Sequence, residues 1–442
     1  MKEVVRKTNI GNFRGNERDH CYEFVGIKYA KAERFEYAQL VDSYQDYDAT
    51  KRGPSSMQKR AYPEFEHLEV PARAFYNREY RQDVKFTYSE DSLILNIFIP
   101  KEGENHPVIL FFHGGGFDSG AIDEDGFDGE ALAKRGCVVV FAQYRVSVFG
   151  YFTHEEIYKK YQRDGSFGLD DLLKATMWVK KNISNFSGDS NNITLMGQSA
   201  GAMSIQYLLC SDKSKGLFKN AIMMSGAGLF PKFALPKPCK KTRAFWLKVM
   251  ELCNCKTFEE FKKASAKDLL AAVDKHKSEI KGSLYYMMPV IDHYILTDGV
   301  DKLIKHPQEV PLMIGFTNND LFTIVFANMA KKYAKEHHGY LYYFDIDAKG
   351  DNNLAFHSAD VRYVFGTLAT SWRPYDEDDY RTSELMMDYI AQFAKTGNPN
   401  HDGAPKWDVY PNKAMCFRDK EAVMGKPKTS ELFINTFKGD PK

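Results

Sequence analysis

The chain has 442 residues, 43% of them hydrophobic and 27% charged, the composition of a globular protein able to bury a large core. Its 60 Lys+Arg against 59 Asp+Glu leave a formal net charge of +1, which excludes a basic field for nucleic acid and an acidic tail. The expected partner is a small molecule.

The opening MKEVVRKTNIGNFRG has no apolar stretch of the length a secretory signal needs, and no later run approaches the roughly twenty apolar residues of a membrane span. The reading is a soluble cytoplasmic protein, monomer or homodimer, without a membrane partner. The 7 cysteines are odd in number and irregularly spaced, which argues against a disulfide framework. Cys253-Asn254-Cys255 reads as two thiols at a helix end and not as a metal site.

In chain order, Tyr22 to Ala30 and Glu33 to Phe35 read as short strands. Pro107 to Phe112 reads as a buried strand ending in His113-Gly114-Gly115-Gly116-Phe117, an HGGG turn of the kind that lends an N–H to an oxyanion hole. Phe127 to Arg135 predicts a short helix and Cys137 to Ala142 a buried strand. Leu169 to Ile183 predicts a long helix with Leu169, Leu172, Leu173, Thr176, Val179 and Ile183 on one face. Trp178 is then core. The sequons at Asn182, Asn185 and Asn192 lie in or beside these elements and carry no weight as glycosylation sites.

Ile193 to Met196 is a short β-branched run, and Ala202 to Leu209 reads as a helix. Between them Gly197-Gln198-Ser199-Ala200-Gly201 has G-x-S-x-G spacing, whose small residues permit a strained strand-to-helix turn that lifts the serine hydroxyl clear of a sheet. Ala221 to Met224 is a further strand. Ser225 either sits behind the site as a supporting hydroxyl or simply begins a turn.

From Lys240 to Ile280 the composition turns helical, with capping-box-like starts at Thr257 to Glu260 and Ser265 to Asp268. This predicts a helical cap inserted at about residues 230–310 of a single domain spanning 1–442. Its aromatic and Met stripe is either core or pocket lining. Pro311 to Thr317 and Tyr340 to Ile346 are late buried strands, followed by loops that carry Asp320 and His357. An acid after one strand and a histidine after the next is the chain order Ser, Asp/Glu, His. Asp345, Asp347 and Asp360 compete with Asp320 for the acid's role, and His337 and His338 read as surface residues. Ser383 to Lys395 predicts the last helix, ended by Gly397 and Pro399.

Five stretches carry a resemblance: Tyr22 to Ala30 with Glu33 to Phe35, Ser89 to Asn96, HGGGF at 113–117, Gln143 to Gly150, and GQSAGA at 197–202. Collinear to Gly226, they resemble the type-B carboxylesterase/cholinesterase family, and the chain looks like a short, non-secreted, bacterial-type member. Asn398-Pro399-Asn400 and Trp407 resemble the family's ending.

The resemblance implies an α/β-hydrolase fold, a central, mostly parallel twisted sheet flanked by helices, with the helical cap above it. It implies Ser199 as nucleophile, His357 as base, Asp320 as orienting acid, and the N–H groups of Gly115, Gly116 and Ala200 as oxyanion hole. Such a serine carboxylesterase cleaves small to medium esters through an acyl-enzyme and requires no metal or cofactor.

Four departures from the family matter. Asp320 stands where the family most often has Glu; the stretch from Asp320 to His357 is strongly shortened, which predicts a wider cleft. The family's early disulfide would join positions matching Ser56 and Ser92, and the loss of both cysteines fits a reducing compartment. Gln198 stands where many relatives have Glu, which weakens any expectation of a cationic substrate. Tyr62, Phe65, Phe75, Tyr76 and Tyr80 are left as candidates to face a leaving group. The alternatives are a hydroxycinnamate-type esterase, a lipase, which the lysines of the cap disfavour, and a silent binding module, which the retained serine disfavours.

Overall fold

Continuous apolar runs such as PVILFF and VVVFA are too short for helices, and they form strands buried on both faces. In the computed structural model, which describes residues 2–68, 71–82, 84–226, 236–280, 286–304, 307–320, 323–411, 413–418 and 421–427, they join one large sheet. Its strands are β1 (Lys2–Thr8), β2 (Gly11–Glu17), β3 (Cys21–Lys28), β4 (Ile94–Pro100), β5 (His106–Phe112), β6 (Val138–Ala142), β7 (Gly188–Gln198), β8 (Asn220–Met224), β9 (Leu312–Thr317), β10 (Tyr340–Asp345), β11 (Ala414–Arg418) and β12 (Glu421–Gly425). The order is β1-β2-β3-β4-β6-β5-β7-β8-β9-β10-β11-β12, with the short strand Asp46–Asp48 added beside β2. Pairing from β6 through β11 is parallel, and both flanks are antiparallel.

The period-2 alternation of a strand divides the core between the two faces. Val108, Leu110 and Phe112 of β5 join Leu195, Trp178 and Ile205 on one face, where α2 (Phe167–Asn182) and α3 (Ala200–Leu209) pack. Ile109 and Phe111 join Val139, Met196 and Phe393 on the other, beneath α8 (Glu377–Thr396). That last helix starts well before Ser383, because Asp376 and Asp379 form a capping box ahead of its apolar stripe. The helix expected over Phe127 to Arg135 contracts to Glu130–Lys134.

Between β8 and β9 in the chain lie α4 (Cys239–Leu252), α5 (Phe258–Lys263) and α6 (Ala266–Glu279). Thr257 and Glu260 close a capping box, and Ser265 accepts from the Asp268 N–H. Phe245, Trp246, Val249, Met250, Leu269 and Leu270 are buried with Phe149 and Phe152 in a third cluster, so this stripe is core. Residues 230–235, 281–285 and 305–306 of the expected cap lie outside the described residues.

Strand register sets the site. Phe112 pairs with Gly197, Gln198 with Met224, Met224 with Gly315, and Thr317 with Phe344, so the carboxyl ends of β5, β7, β8, β9 and β10 finish side by side. His113, Ser199, Ser225 and Asp320 all leave the sheet along that edge, where ligands of open α/β sheets bind.

Candidate active site

Ser199 occupies the bend between β7 and α3 with φ 54° and ψ −120°, a conformation that costs a non-glycine residue about 1–3 kcal/mol. The turn persists because its surroundings leave no alternative. The Ser199 N–H donates to the Met224 carbonyl at 2.9 Å, and the Met203 N–H donates to the Ser199 carbonyl at 2.9 Å. A Cβ at Gly197 would lie 2.6 Å from the Gly201 carbonyl carbon, and one at Gly201 2.7 Å from that of Phe112. Only glycine fits at both flanks. Ala200 is the first residue of α3, so its N–H is one of those a helix leaves without an intrahelical partner.

The HGGG turn lies against this bend, a Cβ at Gly114 falling 3.1 Å from the Ser199 Cβ. Gly115 and Gly116 have φ 111° and 63°. The N–H groups of Asp118 and Ser119 both donate to the Gly115 carbonyl at 3.1 Å. His113 is buried, and burial pushes its imidazole down to about 4, so it is neutral. Its ring stacks on Tyr144 at 4.3 Å, lies 2.7 Å through Nδ1 from the Gly114 carbonyl, and meets the Gln143 amide at 3.2 Å through Nε2. It holds the turn.

Asp320 and His357 are both buried, and Nδ1 of His357 is hydrogen-bonded to Oδ1 of Asp320. The other carboxylate oxygen accepts from the Thr317 N–H at 3.2 Å. The two loops are zipped together: the Asn319 N–H donates to the Ala355 carbonyl at 2.9 Å, its amide to the Asn353 carbonyl at 2.8 Å, and Asn319 bridges Phe356. The imidazole lies against the Phe326 ring at 6.0 Å.

Among the competing acids, Asp347 is exposed and Asp345 lies 3.8 Å from Arg418. Asp360 accepts from the Tyr342 hydroxyl at 2.6 Å. Burial pushes the Asp360 carboxyl up to about 6, the charge of Asp320 adding to the effect and the Tyr342 hydroxyl opposing it.

Several contacts were not legible in the residue pattern. The Gln198 amide stands 3.1 Å from Nε2 of His357. Tyr76 and Tyr80, expected only as candidates to face a leaving group, instead hold the histidine loop. Their hydroxyls donate to the carbonyls of His357 at 3.0 Å and Ser358 at 2.7 Å. They lie on α1 (Pro71–Tyr80), where Glu79 meets the buried Arg373 at 2.7 Å. Ser225 is buried with φ 49°, its N–H donating to the Gly315 carbonyl at 2.9 Å. Ser56 Oγ is 2.9 Å from Ser92 Oγ, the two positions that the family resemblance pairs. Among the described residues, no group of three or more His, Cys, Asp or Glu is placed to hold a metal ion, and no helix is long and apolar enough to cross a membrane.

With this geometry established, comparison with known proteins is decisive. The Carboxylesterase family profile matches residues 2–338 and 321–432. The chain belongs to the carboxylesterase family. Para-nitrobenzyl esterase of Bacillus subtilis (strain 168) is 29% identical over 477 residues, spanning 93% of each chain. Carboxylesterase 5A of Felis catus is 27% identical over 534 residues, spanning 98% of this chain and 94% of the relative. Among solved structures, a thermophilic PNB esterase superposes with a TM-score of 0.81 at 25% identity, covering 97% of this chain and 98% of the other. The fold is that of an α/β-hydrolase, and the protein is a carboxylic ester hydrolase acting on small-molecule esters.

Proposed function

We propose that this carboxylesterase works by two-step acyl transfer through Ser199, with His357 as general base and acid, Asp320 orienting the imidazole, and the N–H groups of Gly115, Gly116 and Ala200 receiving the oxyanion. One observation carries the reading: Asp320 takes Nδ1 of His357 while Nε2 reaches Gln198, the neighbour of Ser199. A carboxylate only accepts, so the ring proton sits on Nδ1 and the basic nitrogen faces the elbow.

In acylation the Ser199 oxygen bonds to the ester carbonyl carbon as its proton passes to Nε2, and the carbonyl electron pair moves onto oxygen. Each N–H aimed at that oxygen contributes about 3 kcal/mol. Collapse breaks the bond to the alkoxy oxygen, which leaves with the proton from Nε2. Water then repeats the sequence on acyl-Ser199 and releases the acid.

The proposed substrates are small to medium, mostly uncharged esters. Gln198 is neutral where many relatives carry Glu, which supports this. The short connection from Asp320 to His357, with the helix α7 (Thr323–Glu336) in it, supports a cleft open enough for aromatic acyl groups. We read α4 to α6 as the cap, and the serines at 56 and 92 as fitting a reducing, cytoplasmic setting.

The test is a p-nitrophenyl acyl-chain series with wild type and Ser199→Ala. A burst of one p-nitrophenol per chain, abolished in the variant, is expected. Undiminished turnover by Ser199→Ala would overturn the mechanism.

A further inference from the structure

The peptide that joins Gly115 to Gly116 is planar and trans, so its C=O and N–H point in opposite directions. Whatever fixes the carbonyl therefore aims the N–H. Here the carbonyl accepts from the N–H groups of Asp118 and Ser119, each at 3.1 Å. With φ of 111° and 63°, the two glycines have no side chain to hold this peptide, and the Asp118–Ser119 backbone holds it for them.

Asp118 is itself anchored on another element. Its Oδ2 accepts from Nζ of Lys277 on α6 at 2.8 Å, with Lys277 and Asp118 only 18% and 19% exposed. One turn earlier on that helix face, Asp274 pairs with Lys59. The order Asp274, Lys59, Asp118, Lys277 alternates in charge. Burial raises the Asp118 carboxyl, but the ammonium groups of Lys277 and Lys59 outweigh it and hold the carboxyl well below the usual carboxylate range. The pair is far more enclosed than a surface ion pair worth about 0–1 kcal/mol, and losing either partner strands a charge.

We propose that Asp118 and Lys277 form a positioning latch, through which helix α6 holds the Gly115 carbonyl and so aims the Gly116 N–H at the substrate's carbonyl oxygen. The inference rests on the reading of Gly116 as an oxyanion donor. Neither side chain touches the ester.

The experiment compares wild type, Asp118→Asn, Lys277→Gln, the double variant, and the exchanged pair Asp118→Lys with Lys277→Asp. Each is normalised to active Ser199 by burst titration. The readouts are kcat and KM for p-nitrophenyl butyrate, and the affinity of an aryl trifluoromethyl ketone, whose serine adduct carries an oxyanion, relative to the matching methyl ketone. Each single variant is expected to lose about tenfold in kcat and in the ketone ratio, with KM within about twofold. The double variant should be no worse than the worse single, and the exchanged pair should regain part of the loss. If the exchanged pair does not fold, Lys277→Arg serves instead, and is expected to lose less than Lys277→Gln.

Additive losses, or effects confined to KM and Tm with an unchanged ketone ratio, would overturn the latch. A wild-type enzyme with no preference for the trifluoromethyl ketone would overturn the oxyanion reading, and the latch with it.

Discussion

The side-chain amide of Gln198 stands 3.1 Å from Nε2 of His357, on the ring nitrogen opposite the one that Asp320 holds. In the proposed mechanism the Ser199 proton must reach that nitrogen, so Gln198 has to give way to Ser199 as an ester enters. Around the histidine loop, Asp360 accepts from the Tyr342 hydroxyl, Tyr76 and Tyr80 donate to the loop's backbone, and the Arg373 guanidinium lies 5.0 Å over the Phe356 ring. Gln198→Glu places an acceptor-only carboxylate on Nε2, which favours the imidazolium. The acid limb of kcat/KM against pH is therefore expected to move to higher pH, with the plateau within about tenfold of wild type. Profiles recorded from about pH 5 to pH 9 check this, and an unmoved limb would show that the amide and ring do not interact in the working enzyme.

Asp320→Asn keeps an acceptor for the Thr317 N–H but no longer offers only acceptors to Nδ1. The imidazole then loses its tautomer, and kcat is expected to fall on the order of 10⁴-fold. The urea midpoint should change little. Near-normal turnover would mean that another acid orients His357.

Asp360 supplies a stability prediction. Its folded value of about 6 is raised above the usual carboxylate value, so the native state keeps a proton that the unfolded chain has lost. Stability from this group is fully present below about pH 4 and is lost as pH rises through about 6. Asp360→Asn still accepts from Tyr342 and carries no charge to bury. Its stability relative to wild type should therefore rise between pH 5 and pH 8, by on the order of 2 kcal/mol in urea unfolding. A difference independent of pH would count against a buried, proton-holding Asp360.

The hydroxyls of Ser56 and Ser92 touch at 2.9 Å where the family resemblance pairs two cysteines. Ser56→Cys with Ser92→Cys is expected to cross-link under oxidising conditions, closing the loop between these positions and stabilising the fold by up to about 4 kcal/mol. Urea midpoints with and without reductant measure the gain. Two free thiols after oxidation would show that the backbone does not present the pair correctly.

Much of this architecture was legible in the residues, because its signals are local. Strands β5 and β6 are continuous apolar runs, and the Thr257 cap is read from four consecutive residues. The bend at Ser199 needs Gly197 and Gly201, and a Cβ at either would collide with backbone. Periodicity marks the packed face and not the cap, so α8 begins at Glu377, ahead of its stripe, and the helix near Phe127 shrinks to Glu130–Lys134. The strand expected over Glu33 to Phe35 is instead a turn, with Phe35 at φ 58°.

From neighbours within a few positions the sequence determined the alternation of strands and helices and the place of Ser199 in a strand-to-helix turn; the family resemblance implied the α/β-hydrolase fold, and the chain order of the late strands placed the candidate serine, acid and histidine. Tertiary structure alone decided which of four carboxylates meets His357, that Gln198 covers its free nitrogen, that Tyr76 and Tyr80 hold its loop, and that Lys277 reaches Asp118. Those contacts join residues 37 to 281 positions apart. Strand register and helix packing bring them together, and no pattern along the chain encodes a hydrogen bond across that distance.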